Sequence, residues 1–383
     1  MEYCSRFLRF LRFFLVLFLV VPALAWAATA TAIPSNEMAR IVAGLQPEPA
    51  GFESAARSQF AAFAKDVDAQ WNSYREKIGV PMVNWACSEI DSKEGETVFY
   101  PFSGPDLSSV NALYPQAGRY IMVAMQRAGL PPALDRLSAA ELKRVLAAYR
   151  NRWRFFARTG FYRTNELEDF ARRHEVTVSV TSQLMAFAAR LGYDVESVEP
   201  VQISADGKEL LPVKEDPALA SSWNSVRLTL VKNGRRVLVD YLRMDLSDGV
   251  IVKRPAERAF IEQASNNRTL VKAASHLLQM SYFTILRNAI LKNAPSVLQD
   301  ETGIEYTALS GAFKTKLYGH FVKPHNLFQT TMQTSLAQAY QNAQDVKPLN
   351  FKLGYDKTAG YSVVVAARGA APVAPGRACG VTQ

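Results

Sequence analysis

Polar side chains that are able to bind a ligand or take part in acid-base chemistry follow a short apolar run near residue 100. Residues 97–100 predict a strand, and the loop after them contains Ser103, Gly104 and Asp106 between two prolines. Open α/β sheets bind ligands beyond the carboxyl ends of their strands, so this loop is a candidate ligand site. The alternative is a rigid turn in which Asp106 caps the next helix.

Two further acidic segments follow predicted strands. Asp300 and Glu301 come directly after the strand predicted at 296–299, and Asp245 comes after the strand predicted at 236–244. Adjacent carboxylates are able to bind a cation or to act as an acid and a base, but successive side chains of an extended chain point to opposite faces. Both segments are therefore either candidate sites or solvated turns, since Asp and Ser also favour turns.

A third kind of candidate lies in a segment that we predict to be a long helix, residues 269–293. Lys272, Ser275, His276 and Gln279 recur at spacings that place them on one helical face, with leucines on the other side. A polar stripe is usually the solvated face of an amphipathic helix. It becomes a candidate site, with Lys272 and His276 as its chemical groups, only if another element covers it.

The common catalytic and metal-binding motifs are absent from the sequence. It contains no G-x-G-x-x-G, no Walker A motif, no G-x-S-x-G and no H-E-x-x-H. The four histidines show no zinc-ligand spacing, and the pair His320 and His325 around Pro324 is typical of an ordinary loop. We predict no metal site, and the sequence leaves the cofactor and the catalytic residues unknown.

The first 27 residues have the three parts of a secretory signal peptide. Three arginines precede an apolar run at 13–21, and the run is followed by a small-residue segment that ends at Ala27. The apolar run is shorter than the ~20 residues of a transmembrane helix. We predict cleavage near Ala27, export to the periplasm or the extracellular space, and no stable membrane span afterwards; the alternative is an uncleaved anchor.

The charge of the chain gives little indication of its partners. Lys and Arg outnumber Asp and Glu by 44 to 35, and the excess falls from +9 to +7 without residues 1–27. The densest basic cluster, Arg150 to Arg158, is interleaved with aromatic residues, a pattern that is also found in nucleic-acid-binding segments. Because these arginines lie near the end of a predicted helix, whose terminus cations complement, we predict no nucleic-acid partner.

Two cysteines remain after residue 27, namely Cys87 and Cys379. Cysteines in an oxidising compartment are often paired, so a disulfide between them is one hypothesis and two unrelated thiols are the other. A bridge would connect the C-terminal tail to the N-terminal third of the chain.

The order of predicted elements indicates an α/β fold with a mixed, mainly parallel sheet that contains antiparallel hairpins and is covered by helices. The apolar spacing at 60–78 predicts an amphipathic helix closed by Gly79 and Pro81, and Ser138 with Glu141 predicts a capping box. Asn233-Gly234 predicts a hairpin, and we predict a second one between 350–355 and 361–367. The predicted organisation is a signal peptide (1–27), an N-terminal helical segment (28–80), a single α/β domain (81–367) and a flexible tail (368–383).

Several short segments occur in a characteristic order. They are 99–106 (FYPFSGPD), 245–247 (DLS), 270–275 (LVKAAS), 297–304 (VLQDETGI) and 317–319 (LYG). Together they resemble a family of bacterial exported proteins, many of them lipoproteins, that has no assigned activity. The resemblance covers roughly residues 70–367 and implies an export context.

The chain differs from that family at several motif positions. Glu301 and Thr302 stand where a second Asp and a Ser are typical, and Glu305 stands in place of Pro. His276 and Gln279 stand where Tyr and His are expected.

Two functions remain open on this sequence. The first is an exported cell-envelope protein with a binding or structural role, whose motif-lined crevice contacts an unknown small molecule or envelope component. The second is an envelope enzyme, a hydrolase or a methyltransferase-like transferase, that uses Asp106, Asp245, Lys272 and Asp300. A strand, a Gly-containing loop ending in Asp106 and a second strand are loosely similar to methyltransferase-like sheets, although Gln126-Arg127 replaces the acid that would hold ribose hydroxyls.

Overall fold

The computed structural model describes residues 34–45, 54–132, 134, 137–162, 178–214, 216, 219–355 and 361–369. The predicted signal peptide and Cys379 lie outside these residues. The described part of the chain forms one ten-stranded sheet with helices packed on it, which confirms the α/β class. The strands are β1 (Thr97–Pro101), β2 (Arg119–Ala124), β3 (Asp194–Ile203), β4 (Leu210–Pro212), β5 (Ser225–Lys232), β6 (Arg235–Arg243), β7 (Arg268–Val271), β8 (Ser296–Gln299), β9 (Lys314–Gly319) and β10 (Ser362–Ala367).

The sheet is mixed, as predicted, but the prediction that it is mainly parallel is wrong, because five of its strand pairs are antiparallel and four are parallel. The parallel strands lie at the centre. The strand order is β4-β3-β5-β6-β2-β1-β7-β8-β10-β9. The five strands from β6 to β8 pair in parallel, whereas the strands on either side pair antiparallel. The chain runs from β1 to β2 on one side of β1 and returns to β7 on the other. The topological switch point of the sheet therefore lies between β1 and β7.

The central strands are buried on both faces. All residues of β1, β2 and β7 after the first are buried, and so is the whole of β8. Strands covered on both faces read as continuous apolar runs rather than as alternating patterns. The runs in β1 and β2 show this property, and it is the reason that the sequence predicts these two strands correctly.

Helices cover the sheet and extend beyond its edges. They are α1 (Ser35–Val42), α2 (Ser54–Tyr74), α3 (Val80–Glu89), α4 (Leu107–Leu113), α5 (Ala139–Thr159), α6 (Val180–Arg190), α7 (Asp248–Ile251), α8 (Pro255–Ala264), α9 (Thr284–Asn293), α10 (Tyr306–Ala312) and α11 (Thr334–Asn342). The predicted capping box of Ser138 and Glu141 opens α5. Within the described ranges, none of these helices combines the length and the hydrophobicity that crossing a bilayer requires.

The aromatic stripe of α2 packs against α5. Phe63 contacts Tyr149 and Trp71 contacts Trp153, with ring centroids 6.5 and 5.8 Å apart. The predicted helix is thus confirmed, but its predicted end is wrong. A π-helical turn, Arg75–Gly79, follows α2 directly and leads into α3. Pro81 does not end the helical segment, because it lies in the first turn of α3, where a backbone N–H would have no intrahelical acceptor.

The two predicted hairpins have different outcomes. β5 and β6 form the first, and both Asn233 and Gly234 have the positive φ angles that a type I′ turn requires. The second prediction is wrong, because β10 pairs with β8 and β9 and residues 350–355 form no strand. Phe351 instead packs against Trp85, with ring centroids 5.5 Å apart, so its apolar character reflects a buried loop.

The long helix predicted at 269–293 is also wrong. The segment contains β7, a loop at 272–276, a 3₁₀ turn at Leu277–Gln279 and then α9. Asp248 sets the start of α9, because its carboxylate accepts hydrogen bonds from the backbone N–H of Thr284 and of Ile285, both at 2.9 Å. The helical spacing of Lys272, Ser275, His276 and Gln279 therefore has no structural counterpart.

Candidate functional site

Three of the loops that the sequence nominates meet at the carboxyl ends of neighbouring strands. The loop with Asp106 follows β1, Lys272 follows β7, and Asp300 follows β8. These strands are adjacent in the sheet, in the order β1, β7, β8. The loops thus lie at the switch point, where open α/β sheets bind their ligands. We call Asp106, Lys272, His276, Asp300 and Glu301 the motif cluster.

The centre of the motif cluster is a buried ion pair. Lys272 Nζ lies 2.6 Å from Asp106 Oδ2, and both side chains are 1% exposed. The ammonium group also donates to Ser109 Oγ and to the carbonyl oxygen of Gly160, both at 3.1 Å. The ring of Phe161 covers it at 5.3 Å. A lysine ammonium has three N–H donors, so these three acceptors satisfy it completely.

Asp106 also caps a helix. Its Oδ1 accepts hydrogen bonds from the backbone N–H of Ser109 at 3.2 Å and from the hydroxyl of Ser108 at 3.3 Å. This arrangement confirms the capping alternative, with Asp106 at the N-cap of α4. Tyr100 donates to Asp106 Oδ2 at 3.2 Å, and burial together with the charge of Asp106 raises the pKa of Tyr100. The same carboxylate therefore serves both the helix and the ion pair.

Asp300 connects β8 to the loop that follows β7. Its carboxylate accepts from the backbone N–H of Ala273 at 2.8 Å, and from the backbone N–H and the hydroxyl of Thr302 at 2.9 and 2.6 Å. Burial raises the pKa of Asp300, whereas these hydrogen bonds and the charge of Lys272 act in the opposite direction. Gly354 has φ +71°, and a Cβ there would lie 1.9 Å from Asp300 Oδ2. The carboxylate thus occupies the space beside a glycine.

Glu301 is buried as well, so the solvated turn considered for residues 299–303 is wrong. Its Oε2 accepts from the hydroxyl of Ser362 at 2.9 Å. Its carbonyl oxygen accepts from the side-chain amides of Gln279 and Gln333. Burial, followed by the charge of Asp300, raises the pKa of Glu301. Two acidic side chains therefore lie next to each other away from water.

The loop after β7 has an unusual backbone. Ala273, Ser275 and His276 all have φ between +51° and +59°, and so does Phe102, at +62°, in the loop after β1. This region is sparsely populated by residues other than glycine, and positive φ outliers concentrate at functional sites and strained turns. The backbone N–H groups of Ala273 and Ala274 donate hydrogen bonds to the side chains of Asp300 and Thr302, and these bonds hold the loop in this form.

His276 is fully buried within this loop. Its ring lies 5.2 Å from the ring of Phe328, and neither ring nitrogen has a hydrogen-bond partner in the described part of the chain. Burial lowers the pKa of His276, and the nearby side chain of Gln279 opposes this effect. The loop after β7 therefore buries an imidazole whose two nitrogens are unpaired among the described residues.

Ser103 and Gly104 help to position the loop after β1. The backbone N–H and the hydroxyl of Ser103 both donate to the carbonyl oxygen of Val123 at the end of β2, at 2.9 and 3.3 Å. Gly104 adopts φ +52°, which allows the tight bend before Asp106. Both residues thus shape the loop, and the contacts of Ser103 are with β2 rather than with Lys272.

The structure does not bring Asp245 into the motif cluster. It follows β6, which β2 separates from β1, and its carboxylate accepts from the backbone N–H of Ser247 at 2.9 Å. Asp245 therefore stabilises its own turn, as the turn alternative predicts. The predicted convergence of four polar groups on one site is therefore wrong for Asp245. The other three, Asp106, Lys272 and Asp300, do lie together.

Sequence reasoning missed several groups around the cluster. Ser109 was discoverable, since a residue three positions after an Asp is where an N-cap finds its N–H donor. Gly160 and Phe161 gave no such signal, because the end of α5 brings them to Lys272 from more than 100 positions away. Tyr355, whose hydroxyl lies 2.8 Å from Ser275 Oγ, also comes from a distant segment.

The structure gives no metal centre among the residues that it describes, since no group of three or more His, Cys, Asp or Glu side chains there is arranged to hold an ion. The pairing of Cys87 with Cys379 stays a prediction, because Cys379 lies outside the described residues. No protein family, curated protein or solved structure matches the chain. The interpretation of the site therefore rests on its geometry.

Proposed function

We propose that this chain is an exported bacterial cell-envelope protein whose α/β body has a binding or structural role rather than a catalytic one. The observation that carries this proposal is the state of Lys272. Its ammonium is 1% exposed and gives its three donors to Asp106, Ser109 and Gly160. Asp106 is equally buried.

A catalytic acid, base or nucleophile must contact the substrate. General acid-base groups act within hydrogen-bond reach of the proton that they transfer, and an amine nucleophile needs a free lone pair. Lys272 and Asp106 meet neither requirement in this arrangement. A buried ion pair with satisfied hydrogen bonds instead positions the elements that supply it. The motif loops thus support a rigid carboxyl edge of the sheet.

The export part of the proposal rests on residues 1–27 and on the resemblance to a family of exported proteins. The arginines before the apolar run and the small residues before Ala28 fit signal-peptidase processing. The +7 charge of the chain after residue 27 is scattered, which is consistent with surface character.

One experiment tests both parts of this proposal. The full-length chain is expressed with its N-terminal segment in a Gram-negative host and purified from the periplasm, and its N-terminus and its co-purifying small molecules are identified by mass spectrometry. We expect an N-terminus at Ala28 and either a bound ligand or none, with no chemically altered substrate on incubation with periplasmic extract. Retention in the cytoplasm would overturn the export, and turnover of an extract component would overturn the binding or structural role.

The second candidate function, an envelope enzyme, is favoured by the order of the strands. From β6 to β9 the order is β6-β2-β1-β7-β8-β10-β9 with β10 antiparallel, which resembles methyltransferase-like sheets. The strained loop at 272–276 and the unpaired nitrogens of His276 also fit a functional site. Against it, the loop after β1 has a single glycine, Gly104, and its Asp106 is already paired.

Ligand binding distinguishes the two candidates. The purified protein is titrated calorimetrically with S-adenosylmethionine, and the same titration is repeated with His276→Gln. The binding or structural proposal expects no heat of binding in either case. Saturable binding that the variant weakens would favour a methyltransferase-like transferase in which His276 faces the ligand.

A further inference from the structure

A cavity of about 490 Å³ lies along α4, from Ser108, which contacts Asp106 of the motif cluster, to Gln116 before β2. It is bounded by the end of α2, the π-helical turn, α4, the end of α6 and the β5–β6 turn. Gln116 precedes β2 and Lys232-Asn233 precedes β6, so the cavity faces the amino ends of these parallel strands. We propose that this cavity binds a small organic anion with an apolar body.

The charges that line the cavity have one sign. Among the described residues its lining contains Arg75, Arg190 and Lys232, and no aspartate or glutamate. Arg190 is neutralised by Asp68, whose Oδ1 lies 2.5 Å from Arg190 Nη1. Arg75 makes no ion pair or hydrogen bond with the described residues. Lys232 has a backbone carbonyl as its hydrogen-bond partner, that of Leu191 at 2.8 Å. Two cations at the cavity therefore lack a counter-charge within the described ranges.

A third cation strengthens the positive field next to the cavity. Arg235 donates to the carbonyl oxygens of Pro115 and Gln116, at 2.7 and 2.9 Å, and both of these residues line the cavity. Burial, followed by the charge of Arg235, lowers the pKa of Lys232. An anion bound between Arg75 and Lys232 would offset this repulsion, because opposite charges favour the charged form of lysine.

The backbone of the cavity wall is irregular at the position of the cation. Arg75 is the first residue of the π-helical turn, and Gly79, its last residue, lines the same cavity. π-Helical turns are rare and occur frequently at functional sites. The wide turn places the free guanidinium and a residue without a side chain beside one space, which leaves room for a ligand against the helix.

The remaining wall is apolar. It is lined by Trp71, Val80, Val83 and Ala112. The volume of the cavity lies within the range of small-molecule binding sites. Such a wall accepts a ring or a branched aliphatic body, while the two cations bind a carboxylate, sulfonate or phosphate. The chemistry is thus that of an amphiphilic anion and not of a free inorganic ion.

The test uses two fluorescent probes that share an aromatic body and differ in charge. The mature full-length chain is titrated with 8-anilino-1-naphthalenesulfonate, which is anionic, and with N-phenyl-1-naphthylamine, which is neutral. The variants are Arg75→Gln, Lys232→Gln and, as a control outside the cavity, Arg236→Gln, which lies in the same hairpin and pairs with Glu196 on the surface. Circular dichroism verifies that each variant is folded.

We expect saturable binding of one anionic probe, weakened about fivefold by each cavity variant and unchanged by Arg236→Gln. The neutral probe should neither bind saturably nor displace the anionic one. Equal affinity of all variants for the anionic probe, or equal affinity of the native chain for both probes, overturns the inference.

This inference deepens the proposed binding role by giving it a site and a ligand class, and it rests on that proposal. The two fail differently. Loss of charge-dependent probe binding removes only the cavity site, and a ligand found by co-purification would still support the binding role. Turnover at the motif cluster removes the proposed binding or structural role, while charge-dependent probe binding at the cavity would remain.

Discussion

At the scale of single residues, the pairing of Lys272 with Asp106 decides how the carboxyl edge of the sheet is held. Truncating one partner of a buried ion pair leaves an uncompensated charge away from water, which costs about 3–5 kcal/mol. We therefore expect Lys272→Met to lower the free energy of unfolding by about that amount, measured by urea denaturation of the purified protein.

Two further variants make this measurement specific. Asp106→Asn in the Lys272→Met background should recover part of the loss, because it removes the unpaired charge and keeps a side-chain oxygen for α4. Arg236→Gln, which breaks an ion pair on the surface, should change the unfolding curve little. A loss in Lys272→Met as small as that in Arg236→Gln would contradict a central role for the buried pair.

Glu301 makes the stability of the protein dependent on pH. Because burial and Asp300 raise its pKa in the folded chain, the folded state binds a proton more tightly than the unfolded state does. Its stabilising contribution is complete below pH 4.5 and is lost as the pH rises through the folded pKa. We expect Glu301→Gln, which stays neutral, to raise the free energy of unfolding at pH 8 by about 1 kcal/mol or more.

Thermal or urea unfolding of the native chain and of Glu301→Gln is measured between about pH 5 and about pH 8, where a glutamate with a raised pKa is expected to lose its proton. The advantage of Glu301→Gln should grow with rising pH. Glu94→Gln, at an exposed glutamate, controls for the removal of one negative charge. An advantage of Glu301→Gln that is constant over this range would show that Glu301 does not titrate there.

Single residues also show what the sequence was able to indicate. Asp106 was nominated by its place after an apolar strand, and both its capping role and its position at the switch point follow from that local pattern. The sequence identifies Lys272 as a candidate through a helical spacing that the structure does not contain, because Lys272 lies in the loop after β7. The burial of Glu301 was not predictable, because the segments that cover it, such as the one with Ser362, come from distant parts of the chain.

At the scale of elements, the loop between β7 and the 3₁₀ turn is held in a strained form by its neighbours. Asp300 supplies one of the restraints, and Gly354 leaves the space that its carboxylate occupies. Gly354→Ala would place a Cβ at 1.9 Å from Asp300 Oδ2, in a backbone with φ +71°. We expect this substitution to lower the free energy of unfolding by about 2 kcal/mol or more.

Gly311→Ala is the matched control for this prediction. Gly311 lies in α10, and a methyl group added to its Cα would meet no described atom within 4 Å beyond its chain neighbours and the backbone of its own helix. The substitution should leave stability unchanged or slightly raised, because alanine favours helix. Both variants are compared by urea denaturation. If Gly354→Ala unfolded at the same urea concentration as the native chain, Asp300 would have to be free to move away.

Elements with a strong local code were predicted, and elements defined by distant pairing were not. The Asn233-Gly234 turn specifies its own hairpin through two positive φ angles, so β5 and β6 followed from the sequence. β10 reads like the second strand of a local hairpin, yet its partners β8 and β9 begin 66 and 48 residues earlier. Local alternation carries no information on which strand will be the neighbour.

At the scale of the whole molecule, a disulfide between Cys87 and Cys379 stays a prediction with a large expected effect. A disulfide lowers the entropy of the unfolded chain, and for so long a loop this effect stabilises the folded protein by roughly 5 kcal/mol at most. We expect peptide mapping of the non-reduced, purified protein to find one linked peptide containing both cysteines. Cys379→Ser should then unfold at the same temperature as the reduced native chain.

Thiol labelling is the measurement that is able to contradict the predicted disulfide. If both cysteines of the denatured, non-reduced protein react with iodoacetamide, the bridge is absent and the tail is not connected in this way. Addition of reductant before labelling serves as the control, because it should make both thiols reactive in either case.

The two ends of the ten-stranded sheet affect how readily copies of the protein associate. An open sheet ends in unpaired N–H and C=O groups, which are able to pair with another copy of the same protein. Here β4 is three residues long and ends at Pro212, which has no N–H to offer. At the other end β9 carries Lys314 and Lys316, and the carbonyl oxygen of Lys347 accepts the N–H of Gly319. We therefore expect the molecule to have little tendency to join edge to edge into fibres.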